Sequence, residues 1–214
     1  LHVRSRRQRQ MCIRDRLENG LVKPEDQPRF LNRIHQEADR LVALINDILR
    51  LSQLDEGGAL PHEQVSVLEL AQEAARSLTA QAAAQAVHIS VTGTAGTVFG
   101  VRRLLYEIAR NLCENAVKYN VPGGSVTVEV AETDRDVTLL VRDTGIGIPE
   151  VDQSRVFERF YRVDKSHSRA IGGTGLGLSI VKHAVAYHHG TLRLESQPGK
   201  GTVITVTLPK EPTE

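Results

Sequence analysis

From position 30 the pattern of apolar and polar residues is helical. Ile34, Ala38, Leu41, Ile45 and Ile48 recur at spacings of four, three, four and three, which is the seam of a helix that packs against other helices. A lone amphipathic core helix gives the same period, and both readings need a partner surface. Gly57 and Gly58 end the run, and Gly20, Pro24 and Pro28 before it mark a connection between two helices. A stretch rich in alanine, Val67 to Ala86, predicts helix, "VHISV" predicts a short strand, and a second helix is expected from about Val101 to Tyr119. Beyond Pro122 the period changes to two. "GGSVTVEVAE" and "DVTLLVRD" alternate around a charged turn, and "TLRLES" and "TVITVTLP" do so around "QPGKG", so two hairpins are predicted. Helices mixed with hairpins, without repeating βαβ units, indicate an α+β fold with a mainly antiparallel sheet and helices on one face.

Composition changes this picture little. A chain of 214 residues with 40% hydrophobic and 25% charged residues has the make-up of a globular protein with a real core. The formal net charge of +1 gives no argument for a nucleic-acid partner. The opening "LHVRSRRQRQMCIRDR" is rich in arginine, yet it lacks the apolar core of a signal peptide and the aromatics of a base-stacking surface. Cys12 and Cys113 make no disulfide framework and no metal-ligand spacing, which favours a reducing compartment. No apolar run is long enough for a transmembrane segment, so an anchor, if there is one, is expected upstream.

Candidate chemistry begins in "RRLLYEIARNLCENAVKYN". Leu105, Ile108, Leu112 and Ala116 form its apolar stripe, and Asn111, Asn115 and Lys118 line a second face. Amide oxygens suit a hard cation and an amine suits phosphate, so this face fits a magnesium nucleotide; a solvated polar face is the plain alternative. Asp143, at a strand end beside Gly145 and Gly147, can accept a hydrogen bond from an exocyclic amine, although a simple glycine turn reads the same way. In "GGTGLGLSIVKHAV" a glycine loop opens directly into a helix, an arrangement that turns backbone N–H groups and the positive helix end toward an anion. It matches neither the Walker loop nor the dinucleotide fingerprint.

"NLCENAVKY", "DTGIGIP", "FERFYRVD" and "GGTGLGL", in this order, resemble the N, first glycine, F and second glycine boxes of sensor histidine kinases. The segment from "FERFYRVD" to "HAV" is similar in particular to the phosphate-starvation sensor kinases. The resemblance spans about residues 30 to 209. It implies a two-layer α/β sandwich that binds ATP, of the histidine kinase and topoisomerase type, preceded by a helical-hairpin dimerisation segment. The organisation expected is an atypical segment at 1–16 that reads as foreign to the family, part of the hairpin at 17–56, a linker at 57–66 and the kinase domain at 67–210.

By motif position, the resemblance makes Asn111, Asn115 and Lys118 the catalytic candidates, with Asn115 on magnesium. Lys118 and Tyr119 lie along the nucleotide, Asp143 holds the adenine amine, and Gly145 and Gly147 make room for the base. Arg162 contacts phosphate, and Gly173, Thr174, Gly175, Leu176 and Gly177 form the phosphate-side loop, with residues 164 to 174 as an ATP lid. Related hydrolases carry a glutamate base where this chain has Asn111, and an amide cannot take a proton from water, so phosphoryl transfer is expected over hydrolysis.

The implied activity is ATP-dependent phosphorylation of a histidine and then of an aspartate on a response regulator receiver domain. The implied setting is a cytoplasmic homodimer, in a sensor anchored upstream, with ATP and Mg2+ as cofactors. The acceptor box expected near residue 1 has no match: His2 lacks its acidic neighbour, threonine and proline, and His35 lies in the second helix. An ATP-binding regulatory fragment that does not phosphorylate itself is therefore the alternative. A serine kinase of the anti-sigma type lacks the F box and the dimerisation helix.

Overall fold

The computed structural model describes residues 25–32, 34, 35, 37, 38, 41, 42, 45, 60–163 and 174–211. The chain divides into two compact units, residues 1–46 and 47–214. In the first unit the described positions between 27 and 45 are helical. The seam residues Ile34, Leu41 and Ile45 are exposed there, with Leu31 and Val42 beside them, as expected of a helix whose apolar face is made for a partner. Ile48 lies outside the described residues.

The second unit begins with strand β1 (Glu63–Ser66), followed by helices α1 (Val67–Ser77) and α2 (Thr79–Ala84), then β2 (His88–Gly93) and β3 (Thr97–Gly100). Helix α3 (Arg102–Lys118), the hairpin β4 (Ser125–Glu132) and β5 (Asp136–Asp143), and the short α4 (Glu150–Gln153) come next. Helix α5 (Gly177–Tyr187) and the hairpin β6 (Thr191–Gln197) and β7 (Gly201–Pro209) complete it. Five strands form a sheet in the order β2-β4-β5-β7-β6, and β1 and β3 form a separate antiparallel ribbon. All pairings in the large sheet are antiparallel except β2 with β4, where the connection through β3 and α3 is long enough for a parallel crossover.

Alternation puts one face of every central strand inward. Val128, Val141, Ile204 and Leu194 stand in one cross-strand row, and Val130, Leu139, Val206 and Leu192 in the next. Helices α1, α3 and α5 supply the second layer over this face. Helix α3 lies between the other two, so more of it is buried than its predicted stripe: Leu104, Ala109, Cys113 and Val117 join Leu105, Ile108, Leu112 and Ala116. Truncating a fully buried side chain such as Leu112 to alanine costs about 2–5 kcal/mol. Burial in this layer also pushes the Cys113 thiol up to about 12, which makes it packing material and not a nucleophile.

Two expectations are corrected. The stretch from Val67 to Ala86 is two helices, because the hydroxyls of Ser77 and Thr79 donate to the carbonyls of Ala74 (2.7 Å) and Arg76 (2.9 Å) and close off α1 at Leu78. The expected linker at 57–66 holds strand β1, whose Val65 is buried opposite Val98. Ser66 then caps α1 by accepting the Glu69 N–H.

Candidate functional site

Helix α3 carries the first part of the site. Asn111, Asn115 and Lys118 are all half-buried along one side of it, at the edge of the helical layer. The Asn111 Nδ2 donates back along the helix to the Glu107 carbonyl (2.8 Å) and to the Glu107 Oε2 (3.3 Å), which turns Oδ1 outward. That oxygen faces the start of α5: a Cβ on Gly177 would lie 2.9 Å from Asn111 Oδ1 and 3.8 Å from Asn115 Nδ2. The glycine at the first position of α5 is what lets the helix N-terminus, with its outward N–H groups and partial positive charge, come up against both amides. The Lys118 ammonium lies 5.6 Å from the centre of the Tyr119 ring.

Asp143, the last residue of β5, is held by two backbone N–H groups. Its Oδ1 accepts the backbone N–H of Gly145 (2.8 Å) and of Thr202 (3.2 Å), which fixes the carboxylate plane and leaves Oδ2 for an incoming donor. Burial pushes the carboxyl up from its ordinary range, and these two N–H bonds work against that shift. Tyr119 lies close by: its carbonyl accepts from Ile146 N–H (3.1 Å) and is the first atom a side chain at Gly145 would strike, at 2.3 Å. Gly147 is equally tight, since a Cβ there would lie 2.1 Å from the carbonyl oxygen of Gln197. These two glycines thus answer first to protein backbone.

The F segment and the glycine loop meet through the backbone. Phe160, in the left-handed region at φ 65°, donates its N–H to the Gly175 carbonyl (2.9 Å), and a Cβ on Gly175 would come within 3.0 Å of Phe160. Tyr161 donates to Asp152 Oδ1 and is covered by the Arg155 guanidinium, 4.3 Å from its ring centre. Arg162 follows. Burial raises the Tyr119 hydroxyl above its ordinary value, while the Arg162 charge works against that rise. Thr174 Oγ1 accepts the Leu176 N–H (3.2 Å), and the Leu176 side chain is fully buried, so only its backbone faces the loop.

The structure therefore brings Asn111, Asn115 and Gly177 together, and Asp143 with Gly145 beside Tyr119. Gly173 and most of the expected lid at 164–174 lie outside the described residues, as do residues 1–16 with His2. Three residues escaped the sequence reading. Glu107 is buried behind Asn111, Thr202 is buried with its N–H on Asp143, and Gly201 (φ 90°) places that threonine because a Cβ there would lie 2.0 Å from the Asp143 carbonyl. The signal available was the glycine–threonine pair closing "QPGKGT", where the turn residues drew attention away from the site.

Comparison with known proteins agrees with the fold. Residues 100–212 match the family described as histidine kinase-, DNA gyrase B-, and HSP90-like ATPase, and residues 9–57 match the His Kinase A (phospho-acceptor) domain. The sensor-like histidine kinase SenX3 of Mycolicibacterium smegmatis is 41% identical over 204 residues, covering 92% of this chain and 53% of the relative, which fits the phosphate-starvation subgroup. The sensor histidine kinase WalK of Bacillus subtilis is 35% identical over 195 residues, covering 85% of this chain and 30% of the relative. Among solved structures, the mycobacterial sensor histidine kinase MprB superposes with a TM-score of 0.62 at 33% identity, over 72% of this chain and all of that one. The Acinetobacter baumannii histidine kinase AdeS shares the fold over 94% of this chain and 93% of its own, with a TM-score of 0.76 at 18% identity. The chain spans about half the length of the SenX3 relatives it matches. With an amide pair set against a helix N-terminus, a strand-end aspartate fixed by two N–H groups and both family models matched in order, the chain belongs to the histidine kinase-, DNA gyrase B- and HSP90-like ATPase family, in its sensor histidine kinase branch.

Proposed function

We propose that this chain is the kinase portion of a two-component sensor, which passes the γ-phosphoryl group of ATP to a histidine imidazole and thence to an aspartate of a response regulator receiver domain. The observation that carries the reading is the approach of the α5 N-terminus to Asn111 and Asn115, because it sets the Asn111 Oδ1, an oxygen ligand for a hard cation, beside anion-binding N–H groups. A magnesium ion in this proposal draws on amide oxygen and on the nucleotide's own phosphates. When bound, that ion supplies charge neutralisation at the phosphates.

The residues divide the work. Asp143 Oδ2 accepts the adenine amine, Gly145 and Gly147 hold the backbone around the base, and Tyr119 and Lys118 lie along the nucleotide. Asn111 and Asn115 face the cation, with Asn115 its ligand by family position. Arg162 and the N–H groups of residues 173–177 receive phosphate charge. Transfer is favoured over hydrolysis because an amide, Asn111, stands where related hydrolases carry a glutamate base, and the carboxylate one turn before it, Glu107, is buried and bonded to that amide.

The kinase domain of this proposal runs from β1 to residue 210, and the hairpin at 17–56 pairs two chains through the exposed seam. The match to the phospho-acceptor domain favours the kinase over the alternative of a regulatory ATP-binding fragment. The histidine within that match, His35, lies in the second helix and not in the acceptor box expected near residue 1. No helix among the described residues is long and apolar enough to cross a membrane, and we place this portion on the cytoplasmic side of an anchored sensor.

The test is incorporation of acid-labile, base-stable phosphate from γ-labelled ATP with Mg2+, into the chain alone and into an added hairpin domain bearing an intact acceptor box. Label in either substrate is the expected result, and its location identifies the acceptor. Nucleotide binding without label in either substrate would return the reading to the regulatory fragment.

A further inference from the structure

Glu107 is the one buried carboxylate among the described residues, 6% exposed, and it sits in α3 one turn before Asn111. A carboxylate taken out of water carries a desolvation penalty of several kcal/mol unless hydrogen bonds to it compensate, so its partners matter. One of them is the Asn111 amide, whose Nδ2 reaches both the backbone oxygen and the Oε2 of residue 107. An amide nitrogen has two hydrogens, and both are directed to that residue. Oδ1 is left on the opposite side, against the first residue of α5.

A flipped amide would set Oδ1 against two acceptors, one of them a carboxylate. We infer that Glu107 is a positioning residue: it locks the orientation of the Asn111 amide so that oxygen, and not nitrogen, is presented to the cation accompanying the nucleotide phosphates. The backbone carbonyl alone engages one hydrogen, as any helix would allow. The carboxylate engages the other and makes the flip unfavourable. This inference rests on the nucleotide-site reading above and gives a role to a residue that touches neither nucleotide nor cation.

The experiment is titration of a fluorescent, non-hydrolysable ATP analogue against the whole chain, in Mg2+ and in EDTA, with circular dichroism to follow the fold. Glu107→Gln keeps the volume but lets residue 107 donate to a flipped Oδ1, so that only the backbone carbonyl still opposes the flip. The gain in affinity on adding Mg2+ is expected to fall about tenfold, the lower end of what losing an outer-shell partner does. Affinity in EDTA should stay within about twofold of the parent. In an Asn111→Ala background there is no amide to orient, and Glu107→Gln should then have no further effect. Glu107→Met, which fills the same space without a polar group, should lose the same Mg2+-specific gain if the glutamine variant does not fold. A parental Mg2+ gain in the folded variant, or an equal loss in the Asn111→Ala background, would overturn the inference alone. Failure of the parent chain to bind nucleotide in Mg2+ would overturn both it and the reading on which it rests.

Discussion

Gly177→Ala separates the site from the fold. The position opens α5 with ordinary helical backbone, so alanine is sterically allowed there and its higher helix propensity favours it by up to about 1 kcal/mol. The added methyl lies 2.9 Å from Asn111 Oδ1, against an optimal separation of about 3.5 Å, so the amide must give by roughly half an ångström. That movement works against its two bonds to Glu107, each worth about 1 kcal/mol. Gain and loss nearly cancel, and the melting temperature should change by no more than about 4 °C for a chain of this size. The methyl also occupies the space into which Oδ1 looks, so affinity for a Mg2+–ATP analogue should fall at least about tenfold. Thermal melting and fluorescence titration on the same sample check the two halves. Unchanged binding would show that the amides and the α5 N-terminus do not make the nucleotide site. A melting point lowered by more than about 10 °C would show that Gly177 is required by packing.

Asp143→Asn must keep an oxygen toward the N–H groups of Gly145 and Thr202, so its amide nitrogen faces the incoming amine; nucleotide affinity should drop by more than about tenfold in an equilibrium titration, with little change in melting temperature. Gly201→Ala sets a Cβ 2.0 Å from the Asp143 carbonyl at φ 90°, and should lower stability in urea by at least about 2 kcal/mol. His188 links two helices: its Nε2 accepts the Val101 N–H (3.0 Å) at the start of α3, and its Nδ1 donates to Ala184 (2.7 Å). Burial, first, holds its pKa below the ordinary 6.5, with the charges of His62 and His189 acting in the same direction and the Ala184 bond against it. The folded state therefore favours the neutral ring, and this contribution to stability is full above pH 6.5 and lost as pH falls from there through the depressed folded value. His188→Leu should remove that pH dependence and, by leaving Val101 without its acceptor, cost about 1–3 kcal/mol in urea unfolding at pH 8.

Period and spacing carried most of the elements, because the central strands alternate cleanly and α3 has an unbroken apolar stripe. They failed where the deciding interactions are long-range or are made by small polar side chains. Nothing local says that Gln64 and Val65 will pair with Phe99 and Val98, so β1 read as linker. The break at Leu78 depends on two hydroxyls choosing carbonyls one turn back, which propensity in an alanine-rich run outweighs on paper. At the candidate site, the residues proposed to face the nucleotide were legible because their motifs are chemical: amides on one helix face, an acid at a strand end, glycines before a helix. Glu107 and Thr202 were not, since each acts on another residue across a distance that only the folded chain defines.

The glycines show how far motif and cause can diverge. Read along the chain, Gly145 and Gly147 open space for a flat ring. In three dimensions their nearest obstacles are the carbonyls of Tyr119 and Gln197, as that of Asp143 is for Gly201. These three close approaches bind the end of α3, the loop after β5 and the β6–β7 turn into one rigid frame around the Asp143 carboxylate. The same frame supplies the two N–H groups that hold its Oδ1. Gly177 differs, because what it meets is a side-chain oxygen that faces the site. Substitutions at the first three positions should therefore lose stability and binding together, whereas at Gly177 binding should fall alone. A uniform loss of stability at all four would mean that Gly177 belongs to the frame, and the case for Asn111 as a presented ligand would fall with it.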